Sequence, residues 1–395
     1  MKSRKFMCVA VLTLFAAAPT ALASSIWYVD GVNGSDNNDC QSRQHACKTI
    51  SNAISLTLPG DSIFVAPATY HEGLVIPFPL KIIGSAAKTT IVDAGGGFGQ
   101  ALVIGSEPKV QVTVSRMTFR GAAGLVDSGG GIYNCFGTLT VIDSIITGNR
   151  IRGGNGIFGY GGGIYNCPSS TLTLINTTVS DNSTEVGGAI CNGGALTIIN
   201  STFSGNVARD RAGGIGNYGL LIITSSTFSG NSSGSSGLAG GILNGGLFQS
   251  NGTLVINNST LSGHTAGDGR GGGIFNVKGS TVVLQNSIVA NNAGGNCHGS
   301  IASVGYNLSS DPSCGFEGVG DLNNTDPNLG PLQNNGGPTE TMAVLPGSPA
   351  IDSGNPNGCK DGSGHVLKTD QRGMPRPDRE DSGGCDRGAY ERQKD

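Results

Sequence analysis

Residues Gly187–Asn206 read GGAICNGGALTIINSTFSGN, and the order of residue types in this stretch decides the fold. Two glycines precede a single apolar residue, an Asn follows two positions later, a β-branched run comes next, and a second turn ends in another Asn. The same grammar recurs with the first Asn at Asn134, Asn166, Asn192, Asn217, Asn244 and Asn276, at intervals of 32, 26, 25, 27 and 32 residues. After each comes a run such as LTVID, LTLIN, LTIIN, LVINN or VVLQN. The second turn then closes on Asn149, Asn182, Asn206, Asn231 or Asn292, with His264 in that place once. A period of about 25 residues holding two or three short strands and no helix is the signature of a β-solenoid whose coils stack on one another.

The physics of such a stack assigns the parts. The Ile of Gly-Gly-x-Ile and alternate residues of the next strand, for example Leu196 and Ile198, point inward, because successive strand side chains face opposite sides. Each buried Ile, Leu or Val then contributes about 1.5–3 kcal/mol. Asn tolerates the left-handed region and passes amide hydrogen bonds between coils, so equivalent Asn residues are expected to form internal ladders. Asn176, Asn200 and Asn258 begin Asn-x-Ser/Thr triplets and read as turn residues of the array.

Working outward, Lys2, Arg4 and Lys5 precede an apolar run over 6–18 and the small residues Ala21-Leu22-Ala23. This order predicts a secretory signal over residues 1–23 and a mature chain beginning near Ser24. The apolar run is shorter than the ~20 residues of a membrane-spanning helix. Ile50, Ala53 and Ile54 share one helical face before Pro59-Gly60, which predicts a short helix covering one end of the stack. The chain divides into the leader, an N-terminal cap with β-helix repeats over 24–300, and final coils with a C-terminal capping module over 301–395.

Composition sets outer limits. Glycine supplies 67 of 395 residues while hydrophobic residues reach 37%, so the chain has many turns and still has a core to bury, which excludes a disordered chain. A net charge of −3 without a long basic run lacks the footprint of a nucleic-acid partner. Nine cysteines follow the leader. Cys40 with Cys47, Cys297 with Cys314, and Cys359 with Cys385 form local pairs near the chain ends, where a disulfide in an oxidising compartment restrains most. Cys135 and Cys167 follow equivalent Asn residues one coil apart, which predicts either a bridge or a buried thiol stack. Cys191 is left over.

Several of these stretches carry a resemblance. GGAI at Gly187–Ile190 and FSGN at Phe203–Asn206 and Phe228–Asn231 look like the paired tetrapeptides of polymorphic outer membrane proteins, whose passenger regions are right-handed parallel β-helices. WYVDGVNGSDNNDC, CKTISNAI and PGDSIFVAPATYHEGLVI, between Trp27 and Ile76, resemble the opening of exported pectate-lyase-like β-helix proteins. NNGGPTETMAVLPGSPAIDSG, DQRGMPRP and CDRGAYE, between Asn334 and Glu391, are similar to the choice-of-anchor Q module of bacterial surface proteins. The implied fold is all-β: a right-handed parallel β-helix with a short N-terminal capping helix and an irregular, disulfide-tied C-terminal cap.

Function is written more faintly. A polysaccharide lyase needs a Lys or Arg base and commonly carboxylates that hold calcium, while a glycoside hydrolase needs two carboxylates at a suitable separation. Between Gly121 and Gly295 the acids are Asp127, Asp143, Asp181, Glu185, Asp210 and Asp268, with Lys278 as the sole lysine. The loops after the second Asn put Arg150, Arg152, Glu185, Arg209, Asp210, Arg211, Asp268 and Arg270 along one edge. There they form either a binding edge for an acidic glycan, with Arg209, Asp210 and Arg211 as candidate catalytic groups, or a solvated edge of turns. Tyr133 and Tyr165 face outward one above the other, as a sugar platform or as mutual packing. The histidines show no metal-ligand spacing. Asp352, Asp370, Asp378 and Asp386 leave calcium as a candidate ion, and no other cofactor is indicated.

The expectation is a secreted or cell-surface monomer acting as an adhesin-like, glycan-binding scaffold, with polysaccharide or cell-envelope components as partners and no transmembrane span. A secreted polysaccharide lyase using the arginine edge is the alternative.

Overall fold

The computed structural model describes residues 24–394 apart from 96, 98, 106–109, 126–127, 154–157, 247–249, 268–269 and 380–383. The leader and Asp268 lie outside the described residues. The chain winds into a right-handed parallel β-helix whose coils each lay down three or four short strands in turn. In one coil these are Ile164–Asn166, Thr171–Ile175, Thr178–Ser180 and Ser183–Val186, after which Ile190–Asn192 begins the next. Stacking turns them into four walls, here called first to fourth, of nine, eleven, ten and five strands among the described residues.

Register explains why the repeat folds this way. In the first wall Ile132, Ile164, Ile190, Ile215, Ile242 and Ile274 lie directly over one another, all fully buried. Leu196 and Ile198 of the second wall are buried likewise. Phe119, Ile146, Val179, Phe203, Phe228, Leu261 and Val289 make the inward column of the third wall. The Phe203 and Phe228 rings there stack with centroids 4.5 Å apart and planes 2° from parallel.

Two amide ladders run inside this column of apolar side chains. Each Nδ2 from Asn134 to Asn217 donates to the Oδ1 of the Asn one coil on at 2.8 Å, and Asn244 donates to Asn276 at 3.0 Å. The ladder starts at Asn134 because the preceding coil places Ile104 in register, which leaves the Asn134 Oδ1 without a partner among the described residues. The second ladder runs through Asn149, Asn182, Asn206 and Asn231 to His264, whose Nδ1 accepts the Asn231 backbone N–H at 3.1 Å. His264 is fully buried, and burial pulls its pKa down to about 3. Between second and third walls, Asn176, Asn200 and Asn258 hold φ of 51°, 50° and 48°, the left-handed corner suited to Asn. The hydroxyls that follow form a third ladder, Ser201, Ser226, Ser259 and Ser287, each accepting the preceding coil's backbone N–H.

The two ends are closed differently. At the N-terminal end the helix Ile50–Leu56 buries Ile50, Ala53 and Ile54, and Glu72 accepts the Ile50 and Ser51 backbone N–H groups at its start. At the other end Cys314 and Phe316 enter the core, tied by the Cys297–Cys314 disulfide. The described residues from 327 to 394 take a course that departs from a simple cover over the open edge. They double back along the outer face of the third wall, where Thr202, Thr227 and Thr260 are buried beneath them. Gln371 bonds to Thr202, Thr227 and Thr339 at 2.6–2.9 Å, and the Ala389 N–H donates to the Thr260 hydroxyl at 3.1 Å. In this flanking module Thr341–Val344 pairs antiparallel with Leu329–Gln333.

The module's charged residues serve its own packing. Asp370 takes the Arg372 guanidinium at 2.8 Å and the Glu391 N–H, while Arg376 pairs with Glu391 at 2.7 Å with both side chains fully buried. Asp386 accepts backbone N–H groups of Asp352 and Arg392. Disulfides join Cys40–Cys47, Cys135–Cys167, Cys297–Cys314 and Cys359–Cys385, with Cα separations of 5.0, 4.9, 4.7 and 6.0 Å. Cys191 is free and buried. No helix among the described residues is long and apolar enough to cross a membrane.

Candidate functional site

The fourth wall is built from the loops that interrupt the repeat. Its strands Ala123–Leu125, Arg150–Arg152, Ser183–Val186, Val207–Arg211 and Ser232–Ser233 stack in parallel, with a register slip between Thr184 and Val186. In Arg150–Arg152 the alternation buries Ile151 and leaves both arginines exposed. Arg150 stacks over Ser183, which stacks over Val207. Arg152 and Arg209 instead border an open cleft of about 500 Å³ together with Glu185, Thr184, Val207 and Ser233.

Within that cleft the groups differ in what they have left to offer. Glu185 Oε2 already accepts the Gly153 and Gly159 N–H groups at 3.1 and 3.0 Å. Arg152 and Arg209 make no ion pair among the described residues, so their guanidinium donors face solvent. Thr184 Oγ1 and Ser233 Oγ are buried atoms without a hydrogen-bond partner among the described residues. Neither hydroxyl stood out in the sequence; the signal was only their place in the same loops as the arginines.

Other expected members are arranged differently. Asp210 pairs with the adjacent Arg211 at 3.1 Å rather than orienting Arg209, and the register slip at Glu185 brings Val186 opposite Arg211. Arg270 is exposed outside this cleft, with its carbonyl accepting the Ala239 N–H. The single edge expected for all five arginines therefore resolves into a pair, Arg152 with Arg209, and three separate positions. Among the described residues no three His, Cys, Asp or Glu side chains converge as a metal-holding group.

Tyr133 and Tyr165 lie on the outer face of the first wall, with ring centroids 5.9 Å apart and planes at 25°. Tyr160 joins them, 6.2 Å from Tyr165. The column continues through Cys191, Gly216, Leu243 and Phe275, and Tyr218 folds over Gly216. Burial pushes the Tyr165 phenol up to about 12 and raises the Cys191 thiol further, so neither ionises at neutral pH. These side chains pack chiefly on one another and form a small apolar cluster outside the main core.

Neither a protein-family model nor a curated protein sequence matches the chain. Solved structures do. The pectate lyase Pel9A superposes with a TM-score of 0.50 at 14% identity, covering 94% of this chain and 98% of that one. XylC in its complex with xylose overlaps at 0.38 and 9% identity, covering 93% and 98%. The pectin methylesterase PemA from Erwinia chrysanthemi overlaps at 0.31 and 12%, covering 76% and 82%. The Pel9A likeness supports the parallel β-helix as a fold, and the two looser overlaps add nothing to it.

Proposed function

We propose that the protein is a secreted or surface-displayed β-helix scaffold that binds an acidic polysaccharide along its fourth wall. The observation that carries this reading is the pair Arg152 and Arg209, exposed and without ion pairs among the described residues, at an open cleft lined by buried, unpartnered hydroxyls. Guanidinium groups recognise carboxylates in paired hydrogen bonds, and an open cleft on a stack of coils suits a polymer better than a small molecule. Four disulfides support an oxidising, extracellular setting. The likeness of residues 334–391 to the choice-of-anchor Q module supports display at a cell surface.

The test incubates purified protein with polygalacturonate, alginate and a neutral glucan. The expected result is retention on the two acidic polymers, weakened about tenfold in R152Q or R209Q and fading with salt. Unsaturated uronides absent from R209Q would replace this reading with that of a lyase in which Arg209 is the base. Equal retention on the neutral glucan would remove both.

A further inference from the structure

A second concavity, at the other end of the stack, belongs to neither the repeat nor the fourth wall. A cleft of about 480 Å³ opens beside the Cys40–Cys47 loop on the outer face of the second wall. That volume falls in the roughly 300–1,000 Å³ range of small-ligand sites. Tyr28 and Phe64 form its floor as consecutive members of one outward column, their rings stacked at 6.2 Å and 22°. Phe64 is 38% exposed. In the coils that follow, the same column carries Ile83, Ser115 and Ile142, so the aromatic pair is confined to this cleft.

The rims are cationic. Arg43 comes from the disulfide loop and Arg116 from the corner between second and third walls. Both are exposed, and neither makes an ion pair or side-chain hydrogen bond among the described residues. Asp30, which also lines the cleft, is occupied by the N–H groups of Val32 and Asn33 and the Asn33 amide. Arg116 holds a left-handed φ of 57°, a conformation that favours Asn, Asp and Gly. The equivalent corners of the next coils hold Asp143, Asn176 and Asn200. An arginine therefore occupies a backbone site better suited to a short side chain, at the coil whose corner meets the cleft. Gly84 lies against this corner, where a Cβ would run into the Arg116 carbonyl, so the corner is closely fixed.

We propose that this cleft is a second binding site, independent of the fourth wall, for a saccharide unit bearing a carboxylate. The apolar face of the sugar ring lies on Phe64, and the carboxylate sits between the Arg43 and Arg116 guanidinium groups. Calorimetric titration with digalacturonate tests it, run in an R152Q/R209Q background so that the fourth wall contributes nothing. Binding is expected there, at least tenfold weaker in R116N and in F64S and unchanged in K48Q. R116N gives the corner the residue that neighbouring coils use and so keeps the fold testable. The neutral disaccharide galactobiose is expected to bind at least tenfold less tightly than digalacturonate. No binding in the R152Q/R209Q protein, or binding undiminished in R116N and F64S, overturns the proposal. So does an equal loss in K48Q, which would mark general charge attraction, or displacement by equimolar benzoate, which would assign the cleft to aromatic acids.

Discussion

Along the first wall, six coils place an Asn at the same buried position and join each to the next through one amide hydrogen bond of 2.8–3.0 Å. Along the fourth wall, neighbouring coils place Arg152, Glu185 and Arg209 around one cleft, and the register slips beside Glu185. The two stacks have the same vertical spacing and different constraints. Inside, a side chain of any other size or polarity leaves a buried donor or acceptor unpaired, so each coil repeats its neighbour. Outside, water satisfies whatever the loops present, so the loops are free to differ. Chemistry specific to this protein collects where the stacking rule is weakest.

The strongest way to break that contrast is to remove a rung. Asn192 donates to Asn217 Oδ1, Leu220 O and Gly194 O and accepts from Asn166. N192A leaves several buried groups unpaired and is expected to cost about 3 kcal/mol in denaturant unfolding, since each such group costs about 1–3 kcal/mol. A cost under about 1 kcal/mol would show the ladder to be incidental to stability.

A smaller effect sharpens the picture at the one irregular rung. The folded pKa of His264 lies near 3, below its ordinary 6.5. The unfolded chain therefore binds the extra proton first, and stability present above pH 6.5 is lost progressively as pH falls toward 3. At 1.36 kcal/mol per pH unit, the loss at pH 5 is about 2 kcal/mol relative to neutral pH. H264N, which restores the ladder residue, is expected to remove that part of the acid sensitivity in unfolding curves at pH 5 and 7.5. An unchanged difference between the two pH values would assign the acid response to other groups. The smallest effect belongs to the fourth wall, where R209Q is expected to shift unfolding by less than about 0.5 kcal/mol. A larger loss would mean that the edge is part of the scaffold.

What could be read in advance follows the same division. The Ile132–Ile274 column and the ladder from Asn134 to Asn276 were legible because a repeated position has one environment, and one environment selects one residue type. The serine ladder was equally periodic but was hidden in turn sequences, such as Asn200-Ser201-Thr202 and Ser225-Ser226-Thr227, that also read as ordinary turns. The fourth wall was legible only as a neighbourhood. Asp210 is flanked by Arg209 and Arg211, and adjacency alone could not tell which of the two it would pair with; in the fold it pairs with Arg211. The path of the returning segment was not legible, because Gln371 meets Thr202 across 169 residues and no repeated position announces such a long-range contact.

That returning segment changes how the stack behaves as a body. A solenoid in which each coil touches only its neighbours can unravel from either end, one layer at a time. Here the strap from Thr339 to Ala389 grips Asn200, Thr202, Thr227 and Thr260. Those layers are bolted to a common splint, while of the described coils before Asn200 only the two joined by Cys135–Cys167 are tied by a covalent bond between layers. During synthesis the early coils can stack as they leave the ribosome, but the splint closes only after Ala389 has emerged. The molecule is thus held layer to layer at one end and braced along its side at the other.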